Sequence, residues 1–531
     1  MAFEKSKRGS VENTPAEPCK SQKHSKHMNN EDLGFEAKLR KMPFPKNRKA
    51  RVLDLFSGCG GLSLGFLAAG YEIVDGIEND PDAHKTHAQN FHLKTRKSPP
   101  NDIQDVSAST HLSSKDIRGG SGIDVVIGGP PCQPFARVGR AKLREIAGLV
   151  EAHIYDERVT LYEHFLRFVA ELHPLAFVIE NVTEIGRFAG RNIAEEISIS
   201  AENLGYNVRY TLLNAAWYGV PQLRERIFII GIKGDVGQIP IFPDRTHKVE
   251  LPKGYKTSQV ANGNIPFLAP YDHFTDHVGE IINPQLAVTS REAIGDLAPI
   301  LDHLVHMEAK KGARHFSDHI RYVSEPCNSY QGLMRRWLGN GEIPPPKDHV
   351  IRFTPRDYET FRRMEPGNQY PEAHEIAVLR LKQTLEDVEK ERGFKLEKNT
   401  EEYQKLWDSI VPPYSLNKFP NRWRKMEPDA PVRTITAHIG KDSYSHIHYD
   451  SDQARTISVR EAARLQSFPD SFHFCGSMNK AFKQIGNSVP PLLAYAIAMA
   501  LKKQLIAADV IRFSSEDDKT YHQNVIFNKG M

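Results

Sequence analysis

Arg51-Val-Leu-Asp-Leu-Phe-Ser-Gly-Cys-Gly-Gly-Leu62 is the stretch whose reading decides the fold. Its first residues form a short apolar run around one carboxylate, Asp54, as in a strand buried on both faces. A glycine-rich turn follows, and Leu62–Ala69 reads as an apolar helix. Glycines in such a turn let the backbone approach a ligand closely, and the amides that open a helix favour its polar end. The spacing is not G-x-G-x-x-G, which argues against a nicotinamide enzyme. The next strand, Glu72–Ile77, ends on Glu78, where an acid is placed to bind the two hydroxyls of a ribose.

Outward from this unit the pattern repeats. Pro81–Phe91 and Glu157–Leu172 read as helices, and Ile123–Gly128, Leu175–Ile179 and Ile227–Gly231 as strands. Strands alternating with helices indicate an α/β protein with a doubly wound, mostly parallel sheet. Ligands of such sheets bind at the carboxyl ends of the strands. Two further stretches lie at such ends. Gly-Gly-Pro-Pro-Cys132-Gln-Pro-Phe stiffens a turn around a thiol, a suitable place for a nucleophile, although a buried inert cysteine fits the same residues. Leu175-Ala-Phe-Val-Ile-Glu180-Asn-Val offers a carboxylate after an apolar strand, with a helix cap as the competing reading.

Elsewhere the chain changes character. Residues 1–50 hold 12 Lys/Arg and 6 Asp/Glu with few large apolar residues, and read as a basic, disordered, solvated tail, with a weak electrostatic anchor on DNA as the alternative. From Leu301 to Ala454 the alternation stops, and Glu372–Trp407 reads as a charged helical insert. Arg455–Gln466 reads as an Arg-rich amphipathic helix and Ala494–Leu505 as an apolar one. No apolar run reaches the length of a membrane span, and no secretory signal opens the chain. The 5 cysteines are scattered without a CxxC pair, which favours a reducing cytosol and argues against disulfides and a zinc site. A net charge of +4 says little about a nucleic-acid partner.

Taken in order, DLFSGCGGLSLGF, GGPPCQPF, ENV, GVPQLRER, RTISVREAARLQSFPD and QIGNSVPP resemble the cytosine-5 DNA methyltransferase family from about Arg51 to Leu505. The resemblance implies a Rossmann-like methyltransferase sheet (residues 51–300) with a second, smaller DNA-recognition domain (301–454). A hinge (455–480), a helix returning to the catalytic domain (481–505) and a tail (506–531) follow. It implies Cys132 as nucleophile on carbon 6 of cytosine, Glu180 at ring nitrogen 3, Arg226 at the pyrimidine oxygen and Glu180, and Arg224 near the nucleophile.

S-adenosylmethionine is the implied cofactor, and no metal is expected. Phe56, Gly58, Cys59, Gly60 and Gly61 would lie under its methionine and adenosine, with Glu78 on the ribose, Asp102 and Ile103 at the adenine, and Pro130 nearby. Asn487, Ser488 and Val489 would close the site. Two departures stand out: Asn101 replaces a glycine before Asp102-Ile103, and Ala136 replaces a serine after P-C-Q-P-F. The implied protein is a bacterial cytoplasmic monomer acting on duplex DNA, with a restriction endonuclease as separate counterpart. A transfer-RNA methyltransferase on the same scaffold and a catalytically dead DNA-binding protein are the alternatives. The first lacks its Cys-Phe-Thr signature, and the second sits poorly with intact Cys132 and Glu180.

Overall fold

The computed structural model describes residues 49–91, 99–114, 122–131, 161–188, 191–251, 271–276, 281, 284–305, 320–337, 345–416, 422–440 and 444–508. Cys132, Ala136, the two tails beyond 49 and 508, and the start of the helix expected at Glu157 fall outside them.

Seven strands lie between Arg51 and Lys233 among the described residues: β1 (Arg51–Leu55), β2 (Glu72–Ile77), β3 (Val125–Gly128), β4 (Ala176–Asn181), β5 (Tyr206–Asn214), β6 (Gln222–Leu223) and β7 (Glu225–Lys233). Six form one sheet in the order β2-β1-β3-β4-β7-β5. β1 runs parallel to β2 and β3, and β3 to β4, whereas β7 is antiparallel to both β4 and β5. The sheet is thus mostly parallel, as its sequence pattern predicts, with one reversed strand. That reversal positions the site. Because β7 runs backwards, its amino end lies beside the carboxyl end of β4, with Asn181 opposite Ile227.

β5 has no counterpart among the strands expected from sequence. Asn207 and Arg209 interrupt its apolar residues, and the structure explains them by alternation, since both are only half-buried while Val208 and Tyr210 are buried. Helices cover both faces of the sheet. Amphipathic α4 (Leu161–Leu172) and α5 (Ile193–Glu202), with α3 (Ala108–Ser114), pack one apolar core. α1 (Gly61–Ala68) packs the other, and α2 (Pro81–Asn90) starts on an Asp80 cap and a proline.

Outside its charged insert, the segment 301–454 reads from sequence as irregular strands and loops, but its described residues are largely helical. It contains α6 (Ser329–Arg336), α7 (Tyr358–Arg363), α8 (Tyr370–Arg392) and α9 (Glu401–Ile410). Its one named strand, Val432–Arg433, pairs with β6. The charged insert is a helical hairpin, α8 against α9, closed over Leu381 and Tyr403. Trp423 centres a separate core, with ring centroids 5.3 Å from Phe361, 5.6 Å from Tyr370 and 5.0 Å from Tyr444.

Arg455–Gln466 departs from its reading. Only Val459–Leu465 is helical (α10), and all seven of its residues are buried, so no polar face meets water. Its arginines are neutralised inside instead. Arg464 pairs with Asp296 (2.8 Å) and Asp470 (2.7 Å), Arg455 with Glu461 (2.7 Å), and Arg460 with Asp348 (3.2 Å). Sequence periodicity cannot tell a solvated arginine from one met by a distant carboxylate.

Two helices end the described chain, α11 (Met478–Asn487) and α12 (Pro491–Ala507). Met478–Ala507 is long enough, and apolar enough on average, to cross a membrane by length and composition alone, although Lys502 and Lys503 break its apolar run. Yet 72% of its most apolar window is buried inside the protein, as in a core helix. α12 lies against α1, and a Cβ on Gly65 would stand 2.4 Å from that of Ala494. Glycine is what allows the two backbones to meet so closely.

Candidate active site

The carboxyl ends of β1, β2 and β4, the turn after β3 and the start of β7 border a cavity of about 490 Å³. Its floor is the loop from Phe56 to Gly61. Phe56 (φ 57°), Gly58 (φ 54°) and Gly60 (φ 102°) are left-handed there, which for phenylalanine is a strained state held by its surroundings. Phe56, Gly58, Cys59 and Gly61 line the cavity and Gly60 does not. Gly60 faces a neighbouring helix end instead, where a Cβ would come 2.3 Å from the Phe91 ring.

Glu78, at the rim, accepts the amide hydrogens of Gly58 (2.9 Å) and Asp80 (2.8 Å). Burial pushes its carboxyl above the usual range. Asn101 donates its amide to the Glu78 carbonyl (3.0 Å), so a residue with a side chain is accommodated where the family has glycine. Asp102, held by Asn79 (3.3 Å) and the Gln104 amide (3.0 Å), and buried Ile103 complete that side.

The last wall comes from the far end of the chain. Lys483, Gln484, Gly486, Asn487, Ser488 and Val489 line it. Gly61 makes this possible, since a Cβ there would stand 2.0 Å from Ser488 Oγ and 2.2 Å from the Val489 carbonyl. Lys483 reaches Asp80 (2.8 Å) and Lys480 reaches Asp82 (3.3 Å), joining α11 to the start of α2.

Three oxygens of residues lining this pocket, Asp54 Oδ1, Ser57 Oγ and Gln484 Oε1, are buried without a hydrogen-bond partner. Buried polar atoms are nearly always paired, so the orphans fit a polar ligand. Asp54 Oδ2 is occupied, accepting from Ser63 (2.6 Å). Burial pushes the Asp54 carboxyl up to about 7.

At the other end, Glu180 at the close of β4 pairs with Arg226 at the start of β7, 2.9 Å apart. Gly129 leaves room for this carboxylate, its Cβ position being 3.1 Å from Glu180 Oε2. Asn181 donates to the Pro130 carbonyl (3.2 Å) and so fixes the turn after β3 to β4. Pro130 and Pro131 line the cavity, and Cys132 is the next residue along the chain. Arg224 is buried and donates to the carbonyls of Ile435 (2.9 Å) and Gly486 (3.2 Å). Burial pushes its guanidinium well below the usual arginine range.

Among the described thiols, Cys59 alone lines the cavity, and burial pushes it up to about 12. It stays protonated and cannot serve as nucleophile. No group of three or more His, Cys, Asp or Glu side chains suited to a metal occurs among the described residues. Of the predicted site residues that are described, the cavity gathers all but Gly60, and Cys132 lies outside the described residues. Sequence reading missed Ser57, Asn181, Lys483 and Gln484. Asn181 stood in a recognised motif; Lys483 and Gln484 carry no local signal, because only the docking of α11 brings them in.

Known proteins bear on this geometry. The C-5 cytosine-specific DNA methylase family matches residues 50–503. M.OihORF3336P of Oceanobacillus iheyensis, provisionally named a type II methyltransferase, is 40% identical over 460 residues, covering 86% of this chain and 95% of that one. The type II methyltransferase M.AgeI of Thalassovita gelatinovora is 32% identical over 477 residues, covering 85% and 99%. A solved structure, provisionally named a DNA modification methyltransferase of an E. coli prophage, shares the fold with a TM-score of 0.54 at 22% identity, covering 86% and 100%. With the family match and two type II relatives covering most of its length, the chain belongs to the C-5 cytosine-specific DNA methylase family.

Proposed function

We propose that this chain methylates carbon 5 of a flipped-out cytosine in a specific duplex DNA sequence through a covalent adduct on Cys132. The observation that carries the reading is the Glu180–Arg226 pair facing the turn that leads into Cys132. A stacked base is out of reach of a protein thiolate, so the cytosine must leave the helix, at a cost of a few kcal/mol. The Cys132 thiolate then forms a bond to carbon 6, which drives electron density toward ring nitrogen 3. Glu180 meets that nitrogen and Arg226 the pyrimidine oxygen, so the ring's charge is offset where it develops. Carbon 5, now enamine-like, takes the methyl group; loss of its proton and departure of Cys132 restore the ring.

The donor is S-adenosylmethionine, which when bound supplies an electrophilic methyl group on a sulfonium. Its residues are the Phe56–Gly61 floor, Glu78 for the ribose, Asp102 and Ile103 for the adenine, and Asn487 to Val489 as the closing wall. Asp54 and Ser57 join them, a carboxylate and hydroxyl suited to the cofactor's ammonium group. Residues 301–454 select the DNA sequence. The type II relatives support a modification enzyme that protects DNA from a separate restriction endonuclease.

Duplex DNA with 5-fluorocytosine at the target is the test. The fluorine cannot leave as a proton does, so wild-type protein should be trapped on the DNA in a cofactor-dependent complex. Cys132→Ser should form none and lose methyl transfer while still binding cofactor. Methylation without a trapped complex would overturn the mechanism, and methylation of transfer RNA instead of duplex DNA the substrate.

A further inference from the structure

Behind the cavity floor, two glycines make room for a histidine. His87 of α2 is buried there. A Cβ on Gly60 would stand 2.9 Å from its Cδ2, and one on Gly76 would stand 2.5 Å from its Cε1. Phe91, four residues on, covers the imidazole with ring centroids 4.6 Å apart. Burial pushes this histidine down to about 4, against a nearby Asp75, so the ring is neutral at pH 7. A neutral imidazole has one N–H to donate and one bare nitrogen.

His87 Nε2 lies 2.9 Å from Ser63 Oγ, and Ser63 Oγ lies 2.6 Å from Asp54 Oδ2. The three buried side chains come from α2, α1 and β1 and form one hydrogen-bonded row. Ser63 has a single hydroxyl hydrogen. While Asp54 is ionised, Ser63 donates that hydrogen to it, so the hydrogen between Ser63 and His87 belongs to the imidazole. Both donors then point toward the carboxylate, and each strengthens the next. The row ends on an open acceptor, because Asp54 Oδ1 has no hydrogen-bond partner and Asp54 lines the cavity. Packing alone does not ask for this arrangement. An apolar ring would fill the place of His87, and a buried helical serine can return its hydrogen to a carbonyl of the preceding turn.

The surrounding charges oppose one another. Burial raises the Asp54 carboxyl, Ser63 lowers it through hydroxyl and amide, and Glu78 raises it again. Cys59, which also feels Asp54, stays protonated. Asp75 and His84 face His87, and Asp75 is paired with His111 at 2.9 Å. We propose that Ser63 and His87 are positioning residues for cofactor binding, feeding hydrogen bonds to Asp54 Oδ2 so that Oδ1 meets the cofactor's ammonium group as a carboxylate. The proposal rests on Asp54 meeting that ammonium, as proposed for this pocket. When the cation binds an Asp54 that carries a proton, the O–H bond breaks and the proton passes to solvent. No other covalent bond changes. Hydrogen bonds to the charged form make that release easier.

Calorimetric titration of the whole chain with S-adenosylmethionine from pH 6 to 8.5 tests this with wild type, S63A, H87F, H87Q and D54N. The ligand's own amine titrates alike for every variant and cancels in ratios of affinity. S63A should bind about tenfold more weakly than wild type at pH 6, one pKa unit's worth, and the gap should close to about twofold by pH 8. H87F keeps a ring against Phe91 but drops the donor, and should shift the same way by about twofold at pH 6. H87Q retains a side-chain N–H and should recover the wild-type curve. A gap of equal size at every pH would mean general damage to the pocket and overturn the proposal. Curves for S63A and H87F that coincide with wild type overturn it too, and H87F decides alone if S63A does not fold. D54N separates this from the cofactor reading. If D54N flattens the acid-side fall in affinity while S63A and H87F keep it in place, the row fails and the Asp54 contact stands. If D54N binds as wild type at every pH, the contact fails and the row with it.

Discussion

Two regions of this molecule bury charge, and they do so in opposite ways. Around α10 every guanidinium meets a carboxylate: Arg464 with Asp470 and Asp296, Arg335 with the same Asp296, Arg455 with Glu461. Against the cost of burial, Arg455 holds Glu461 well below the usual carboxylate range, and Arg464 does the same for Asp470. In the cavity the pattern reverses. Asp54 Oδ1, Ser57 Oγ and Arg224 Nε are buried without partners, and burial pushes Asp54 and Glu78 up. Matched buried charge locks segments together, whereas unmatched buried polarity is kept where a ligand completes it.

Substitution should separate the two regions, in stability for one and in chemistry for the other. The largest loss of stability is expected at Arg464→Ala, which leaves Asp296 and Asp470 buried with one partner fewer. About 3–5 kcal/mol should be lost, read from urea unfolding. A variant as stable as the wild type would break the comparison. Glu180→Gln should do the opposite, slowing methyl transfer in single turnover by about a hundredfold while its unfolding midpoint stays near that of the wild type. Normal turnover with weakened DNA binding would reduce Glu180 to a positioning role.

Asp54 sharpens the contrast through pH. Its carboxyl sits near 7 in the fold and about 3.9 in the unfolded chain. As pH rises from about 4 to 7 the folded state keeps a proton that the unfolded state has released, so its contribution destabilises progressively over that window. A cationic ligand favours the ionised form, so cofactor affinity should rise through the same window. Asp54→Asn should flatten both trends, raise stability at pH 8 and weaken cofactor binding by about tenfold, one pKa unit's worth of free energy. Calorimetric titration with cofactor at pH 6 and 8 checks it, and unchanged affinity would remove Asp54 from the site. Glu461 and Asp470 should behave with the other sign, their stabilisation present above about pH 4 and lost as pH falls below it.

The smallest effect is expected at Lys483→Ala. The pair with Asp80 is half-exposed, and such pairs contribute about 0–1 kcal/mol. Cofactor affinity should fall no more than about fivefold and the loss should shrink at high salt. A loss above fiftyfold would mean that Lys483 touches the cofactor directly.

The same contrast explains what could be read from residues alone. The strand–turn–helix at Arg51–Leu62 and the carboxylate at Glu180 are local signals, since an apolar run and a strand end reveal themselves within ten residues. β5 escaped because a half-buried strand carries polar residues on alternate positions. α10 misled for a deeper reason: its two arginines, Arg460 and Arg464, look solvated, and their partners Asp348, Asp296 and Asp470 are found only by folding. Lys483 and Gln484 escaped likewise, reaching the cavity through the docking of α11 on α2.

The closing wall sets a timetable for the newborn chain. Cys59, in the cavity floor, donates its thiol hydrogen to the Gln484 carbonyl across 425 residues. At about 5–20 residues per second, a ribosome needs roughly 20–85 s to make the stretch between them. Until then the floor has no opposite side, and Gly61 and Gly65 present bare backbone where α12 will lie. A nascent chain therefore carries its glycine-rich loop long before it has a closed cavity. That cavity is completed in one late step, only after α11 and α12 have been made and docked.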